Sequence, residues 1–229
     1  MGYYPGPRPS ADFGPPGAGT QRQDRSALSA VSVATIIFLV GGVVGLTSSA
    51  LVNLGGLVST TSGSRSVVLS LPAPWVWGAL IGVSFAFDLV GFWFYRSAFR
   101  TLAPVDRGFA TPATLTLLAL LSLLVVLVGV VFLINALYQA VACDGSGHPI
   151  TAACLQSTSL WAGAAFLVIG AILFLVGFIG MLVGIWRVGR RYSETTIQIG
   201  AVLSIIPYLN IVGAILILIG ARSAARKVG

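Results

Sequence analysis

The 229-residue sequence has very little charge, because only 8% of its residues are Asp, Glu, Lys or Arg. A soluble domain has about a quarter. Six acidic residues, one histidine and two cysteines leave few side chains for acid–base catalysis or metal ligation. The sequence also lacks a phosphate-binding loop and any Ser–His–Asp set that could assemble. It therefore predicts a protein that is not an enzyme and that uses no cofactor.

What the sequence has is apolar: hydrophobic residues make up 56% of the chain, and the mean hydropathy is +0.96. This composition predicts an all-α, polytopic membrane helix bundle whose partner is the lipid bilayer. The net charge is +7, but the basic residues lie at the ends of apolar runs. That placement indicates membrane orientation, whereas nucleic-acid binding requires a basic face interleaved with stacking aromatics. No nucleic acid is expected as a partner.

Four apolar runs are long enough to cross a bilayer as helices. They are predicted as spans at about residues 27–51, 74–95, 112–140 and 160–186, in one membrane domain of residues 27–221. Residues 1–26 are rich in Pro and Gly and are predicted to form a disordered tail. Residues 222–229 are predicted to form a short basic tail.

The positions of the basic residues predict the orientation of these four spans. With the N-terminus inside, the inner segments carry Arg8, Arg22, Arg25, Arg96, Arg100, Arg107, Arg187, Arg190 and Arg191. The two outer loops carry only Arg65. The sequence therefore predicts a multi-pass protein of the cell membrane with a cytoplasmic N-terminus.

The last apolar stretch, residues 195–221, is longer than one straight span and has Pro207 near its centre. One interpretation is a fifth span kinked at Pro207, which leaves the basic residues after position 221 outside. The other is a re-entrant helical hairpin that turns at residues 207–210 and keeps those residues inside. The charge count favours the hairpin.

Four positions form a candidate polar site within the membrane: Asp88, Asn135, Pro207 and Asn210. Asp88 is the only acid inside a predicted span, and a lone intramembrane carboxylate marks a functional site by default. It is either a relay for a proton or cation, or a residue that fixes helix packing. Packing is favoured because no second acid, Lys or His lies within a span. The break at Pro207 supports the alternative, a small-solute or ion pathway, because discontinuous helices often line such sites.

Glycines recur along one face of the fourth predicted span, at Gly163, Gly170, Gly177, Gly180 and Gly184. A seven-residue spacing keeps them nearly on one face, where a second backbone can approach closely. This face predicts helix packing and a homo-oligomer formed through the fourth span. The favoured function is accordingly a structural or regulatory membrane component, with the ion pathway as the alternative.

Cys143 and Cys154 lie in a loop that contains no Lys or Arg and is predicted to be outside. In an oxidising exterior they are most simply a disulfide. A metal site that adds Asp144 and His148 is the other interpretation, but the spacing matches no zinc module.

Two segments resemble an archaeal family of multi-pass membrane proteins classed as a domain of unknown function. The first contains Ser97, Ala98, Phe99, Leu102, Asp106, Phe109 and residues 111–115, and the second contains residues 205–210 with Gly213, Ile219 and Gly220. The resemblance covers about residues 27–221. It implies an archaeal cell-membrane protein and brings no known activity.

The resemblance also implies that Phe99, Asp106, Phe109 and Pro112 form one structural unit at the cytoplasmic face. In physical terms, Asp106 is expected to cap the start of the third span. The two phenylalanines are expected to anchor the loop among lipid headgroups.

Overall fold

The computed structural model describes residues 18–55, 74–143, 158–206 and 209–228, and all the regular elements in these ranges are helices. They are α1 (Ala18–Gly55), α2 (Pro74–Leu102), a 3₁₀ helix (Arg107–Phe109), α3 (Ala110–Cys143), α4 (Thr158–Arg191), α5 (Thr195–Leu203) and α6 (Asn210–Val228). Within the described residues, three segments are long and apolar enough to cross a membrane. They are part of α1, the 3₁₀ helix together with part of α3, and the whole of α4. The chain is an all-α membrane helix bundle, as the composition predicts.

The helices pack in two groups that meet in a common core. α3 and α4 form the most extensive pair, while α1 packs against both α2 and α6. α2 contacts α3, and α4 contacts α5, so the groups are joined on two sides. The largest fully buried side chains include Phe92, Phe99 and Phe109, which fill the space between the groups.

The C-terminal stretch forms a helical hairpin, not one kinked helix, because α5 and α6 pack against each other. The two backbones approach closely at Gly200 and Gly213, where a Cβ on either residue would lie 2.7 Å from the carbonyl oxygen of the other. α5 has nine residues and is ~14 Å long, whereas α4 has 34 residues and is ~51 Å long. The hairpin therefore turns part-way along the bundle. Pro207 and Tyr208 lie outside the described residues.

The predicted tails are shorter than expected, because both terminal helices extend into them. α1 begins at Ala18, so the prediction of disorder is wrong for residues 18–26. No proline follows Pro16 there, and Arg191 holds Asp24 in an ion pair of 3.2 Å. α6 likewise continues to Val228 and includes most of the predicted basic tail. Residues 1–17 lie outside the described part of the chain.

The turn between α4 and α5 reverses the chain at the basic end of the bundle. Ser193 adopts a left-handed conformation with φ 54°, and the amide of Glu194 donates to the carbonyl of Gly189 at 2.8 Å. This pattern closes a helix C-terminus and directs the chain into α5. Glu194 Oε1 then accepts a hydrogen bond from Ser223 at 3.0 Å and pairs with Lys227 Nζ at 2.6 Å. Glu194 thus ties the start of α5 to the end of α6.

This tie makes the hairpin weakly dependent on pH. The hydrogen bond from Lys227, with help from Ser223, lowers the pKa of Glu194. A carboxyl with a lowered pKa in the folded state stabilises it above the unfolded-state pKa, and that stability is lost as pH falls through the folded-state value. We expect Glu194→Gln to destabilise the protein at pH 7 by less than about 1 kcal/mol, since Lys227 is largely exposed.

Thermal unfolding of wild type and Glu194→Gln between pH 7 and pH 3 checks this expectation. The two unfolding temperatures should differ at neutral pH and converge as the pH falls. A difference that persists unchanged at pH 3 contradicts the assignment to the ionised carboxylate.

Candidate functional site

Asp88 lines a cavity of about 340 Å³ that is bordered by α1, α2, α4 and the C-terminal hairpin. Its polar lining residues come from α1, α2, α6 and the hairpin turn: Thr35, Ser84, Asp88, Tyr95, Ser204 and Asn210. We call this space the Asp88 cavity. It brings together two of the four positions predicted as a polar site, Asp88 and Asn210, although they are far apart in sequence.

Glycines of α1 leave room for this cavity. A Cβ added at Gly42 or Gly45 would meet no atom within 4 Å, so both glycines border open space. At Gly41, by contrast, a Cβ would lie 2.8 Å from Cβ of Phe87. Gly41 therefore allows α1 and α2 to approach closely, whereas Gly42 and Gly45 leave space for the cavity.

The carboxylate of Asp88 has no protein partner in the described part of the chain. It makes no hydrogen bond or ion pair there, and no Lys, Arg or His lines the cavity. Most of the remaining wall is apolar, with Phe38, Phe178 and Ile217 among the residues. The interpretation of Asp88 as a hydrogen-bonded packing residue therefore lacks the partner that it requires.

Three hydroxyl groups of the cavity, those of Thr35, Tyr95 and Ser204, are oriented by bonds to neighbouring groups. Thr35 Oγ1 donates to the carbonyl of Val31 at 2.8 Å, so Tyr95, which lies 2.8 Å from the same oxygen, donates to Thr35. Ser204 Oγ donates to the carbonyl of Gly200 at 2.8 Å. Because these protons are committed, the hydroxyl oxygens are left with lone pairs only. A cavity with a carboxylate and acceptor oxygens suits a cation.

Asn210 begins α6 at the point where the hairpin returns. Its Oδ1 accepts from the amide of Ile211 at 2.8 Å, and the amide of Gly213 donates to the carbonyl of Leu209 at 2.8 Å. The C-terminal end of α5 and the N-terminal end of α6 meet here, so their dipoles partly cancel. Asp88 is then the main charge that acts on the cavity.

Asn135 does not join this site. It is exposed near the end of α3, where its Oδ1 accepts from Gln139 Nε2 at 3.3 Å. The predicted disulfide and the alternative metal site both require Cys154, which lies outside the described residues together with Asp144 and His148. Cys143 is the last residue of α3.

The glycine face of α4 is filled by α3 of the same chain and, at one position, by α2. Added Cβ atoms would lie 3.1 Å from the carbonyl of Gly129 at Gly163, and 2.6 Å from Cγ2 of Val126 at Gly170. At Gly177 the neighbour is the backbone of Ala119; Gly180 meets Leu115, and Gly184 meets the ring of Phe99. A second copy of the chain reaches these glycines only if α3 moves away.

The loop motif forms a compact unit, but its phenylalanines do not lie among lipid headgroups. Phe99 and Phe109 are fully buried and stack with ring centroids 6.3 Å apart. The expected headgroup anchoring is therefore wrong, because both rings fill the core below the loop. Asp106 caps the 3₁₀ helix ahead of α3, accepting from the amide of Gly108 at 2.8 Å. Pro112 is fully buried.

A chain of aromatic rings links this unit to the Asp88 cavity, and the sequence analysis missed it. The rings in contact, in order, are Phe109, Phe99, Tyr95, Phe38, Phe92, Phe174 and Phe178. The sequence signal is the spacing of Phe92, Tyr95 and Phe99, which places three aromatic side chains on one face of α2. The chain gives the cavity a rigid wall.

Comparison with known proteins identifies the family of this chain. A family model described as "Protein of unknown function (DUF973)" matches residues 22–229. No curated protein and no solved structure matches the chain. The matched range includes the Asp88 cavity, the loop motif and the whole hairpin.

Proposed function

The chain belongs to the DUF973 family of proteins of unknown function, so its activity must be inferred from its own geometry, and we propose that it binds a small monovalent cation in the Asp88 cavity and provides a membrane pathway for it. The observation that carries this proposal is the carboxylate of Asp88, which faces the cavity without a protein partner. The protein is also a membrane helix bundle, as a membrane pathway requires.

The physical reason is the cost of an isolated charge in an apolar environment. A half-buried carboxylate among apolar groups is costly unless a counter-ion or a proton neutralises it, and no basic side chain is among the described residues that line the cavity. Hydroxyl and amide oxygens are suitable ligands for a hard cation. One carboxylate balances one positive charge, so Na⁺, K⁺, NH₄⁺ or a proton fits better than a divalent ion.

The helix break supports a pathway rather than a closed site. Asn210 and Ser204 flank the hairpin turn and line the cavity, so a shift of the hairpin would change access to Asp88. Broken helices serve this purpose in transporters, where they place polar groups at a site between bundle elements.

The proposed orientation places the N-terminus on the cytoplasmic side of the cell membrane. The start of α1 and the end of α6 lie together at one end of the bundle, beside Arg187, Arg190 and Lys227. The hairpin thus brings the C-terminal basic residues to the same end as the earlier ones. That end fits the cytoplasmic face by the positive-inside rule.

Flux measurements in liposomes test the pathway. Protein reconstituted in liposomes with an internal pH dye or ion indicator should carry at least one of Na⁺, K⁺, NH₄⁺ or H⁺ faster than empty liposomes. Flux equal to that of empty liposomes for all four ions, with correctly inserted protein, contradicts the pathway.

A structural or regulatory component without a solute is the second candidate. It is favoured by the close packing of α3 on the glycine face of α4, which suits a rigid scaffold. A homo-oligomer through this face would require α3 to exchange between copies. Native mass measurement of wild type and Gly180→Leu tests it: an oligomer that dissociates only in the variant supports this role, and a wild-type monomer excludes the oligomer.

A further inference from the structure

A second, larger cavity lies at the basic end of the bundle and is independent of the Asp88 cavity. It has a volume of about 940 Å³. Its charged lining residues are Asp24, Asp106, Arg187, Arg190, Arg191 and Lys227. They come from α1, the α2–α3 connection, α4 and α6. We call this space the basic cavity.

The charges in the basic cavity are only partly balanced within the protein. Arg191 pairs with Asp24 at 3.2 Å, and Lys227 pairs with Glu194 at 2.6 Å. Arg187 and Arg190 make no hydrogen bond or ion pair with any described residue. Two guanidinium groups therefore remain unpaired at the wall, which also carries the Asp106 carboxylate.

Two buried polar atoms of residues in the same wall also lack an acceptor. The phenolic oxygen of Tyr192 and Nε of Arg191 are buried with no hydrogen-bond partner among the described residues. Burial, together with the neighbouring Asp24 carboxylate, raises the pKa of Tyr192, so the phenol keeps its proton and remains a donor. Buried donors are normally satisfied. The Asp24 carboxylate is close enough to the phenol to raise its pKa, so Nε of Arg191 is the donor that points to an absent acceptor.

We propose that the basic cavity binds a phosphate group, carried either by a lipid headgroup or by a soluble phosphate compound. Guanidinium groups match phosphate oxygens in charge and in geometry, and paired arginines are the usual means of holding them. The volume is in the range of small-molecule sites. Because the walls come from both ends of the chain, a bound phosphate stabilises the contact between α1, α4 and the C-terminal hairpin.

Two double variants distinguish a built site from general surface charge. Arg187→Gln/Arg190→Gln removes the two unpaired arginines of the cavity. Arg222→Gln/Arg226→Gln is the matched control, since it removes the same charge from exposed positions on α6 that do not line the cavity.

The experiment measures thermal unfolding of the full chain in a maltoside detergent that contains no phosphate. One arm titrates sodium pyrophosphate against sodium chloride of equal ionic strength, and the other titrates phosphatidylglycerol into the micelles. We expect a saturable rise in unfolding temperature in at least one arm. Apparent affinity should fall at least about tenfold in the cavity variant and by less than about twofold in the control.

Each outcome decides the proposal. A response to pyrophosphate that depends on the cavity arginines identifies a soluble phosphate ligand, and the same dependence with phosphatidylglycerol alone identifies a lipid headgroup. No response in either arm, or equal loss in both double variants, overturns the proposal. If the double variant does not fold, the single variant Arg190→Gln, which changes an exposed side chain, must show the same loss of apparent affinity.

Discussion

Replacing Asp88 with asparagine should abolish the response of the protein to monovalent cations while leaving it folded. Asparagine has nearly the same shape but carries no charge, and the Asp88 carboxylate has no described protein partner that would be left unpaired. Wild type should unfold at a higher temperature in the chloride salt of the bound cation than in choline chloride. At 100 times the dissociation constant, this stabilisation is about 2.7 kcal/mol.

The variant Asp88→Asn should unfold at one temperature in all of these salts. It should also lose the cation flux of wild type in liposomes. Asp106→Asn is the control, because it also removes one carboxylate charge, but from a residue that caps the 3₁₀ helix and does not line the Asp88 cavity. An unchanged salt response in Asp88→Asn would refute the site.

The second large effect is expected at Gly177, where α3 and α4 are in backbone contact. A Cβ at this position would lie 2.6 Å from both Cα and Cβ of Ala119. Neither backbone can give way without separating the helices, so Gly177→Ala should cost about 1–3 kcal/mol by overpacking. This loss should exceed the ~1 kcal/mol that alanine gains over glycine in helix propensity.

Gly82→Ala is the control, since a Cβ there would meet no atom within 4 Å. It gains the same helix propensity without the collision and should leave the unfolding temperature unchanged or higher. Thermal unfolding in detergent compares the two variants. If Gly177→Ala dissociates an oligomer without lowering the unfolding temperature, the glycine face acts between copies and not within one chain.

The helices and the hairpin could be predicted from the sequence because they depend on local signals. Hydropathy identified the long apolar runs, and the basic residues after position 221 favoured a chain that returns at Pro207. The ends of the terminal helices were less predictable. Residues 18–26 have a polar composition that suggested disorder, and their helix is held partly by the distant pairing of Asp24 with Arg191.

The burial of Phe99 and Phe109 could not be predicted, because lipid and protein interior are both apolar. Hydropathy cannot distinguish a phenylalanine that faces a headgroup from one that stacks in the core. The partner of the glycine face raised the same difficulty: the spacing predicts close approach but does not identify the helix that approaches. In this structure, that helix is mainly α3 of the same chain.

The sequence identified two residues of the candidate site, but it did not predict that they lie in one cavity. Asp88 was notable as a lone acid, and Asn210 as part of a helix break. Their presence in one cavity depends on the packing of the hairpin against α1 and α4. Asn135 had the same kind of signal and lies elsewhere, so residue type alone does not assign a polar residue to the site.

Calorimetric titration of NaCl, KCl and NH₄Cl into purified wild-type protein and Asp88→Asn, in choline chloride of constant ionic strength, tests the cation site most directly. The described residues that line the Asp88 cavity include one carboxylate, so wild type should bind one ion per chain for at least one of these salts. Asp88→Asn should show only the heat of dilution. Absence of binding heat in wild type for all three ions, or equal binding in the variant, contradicts the assignment of Asp88 as a ligand of Na⁺, K⁺ or NH₄⁺.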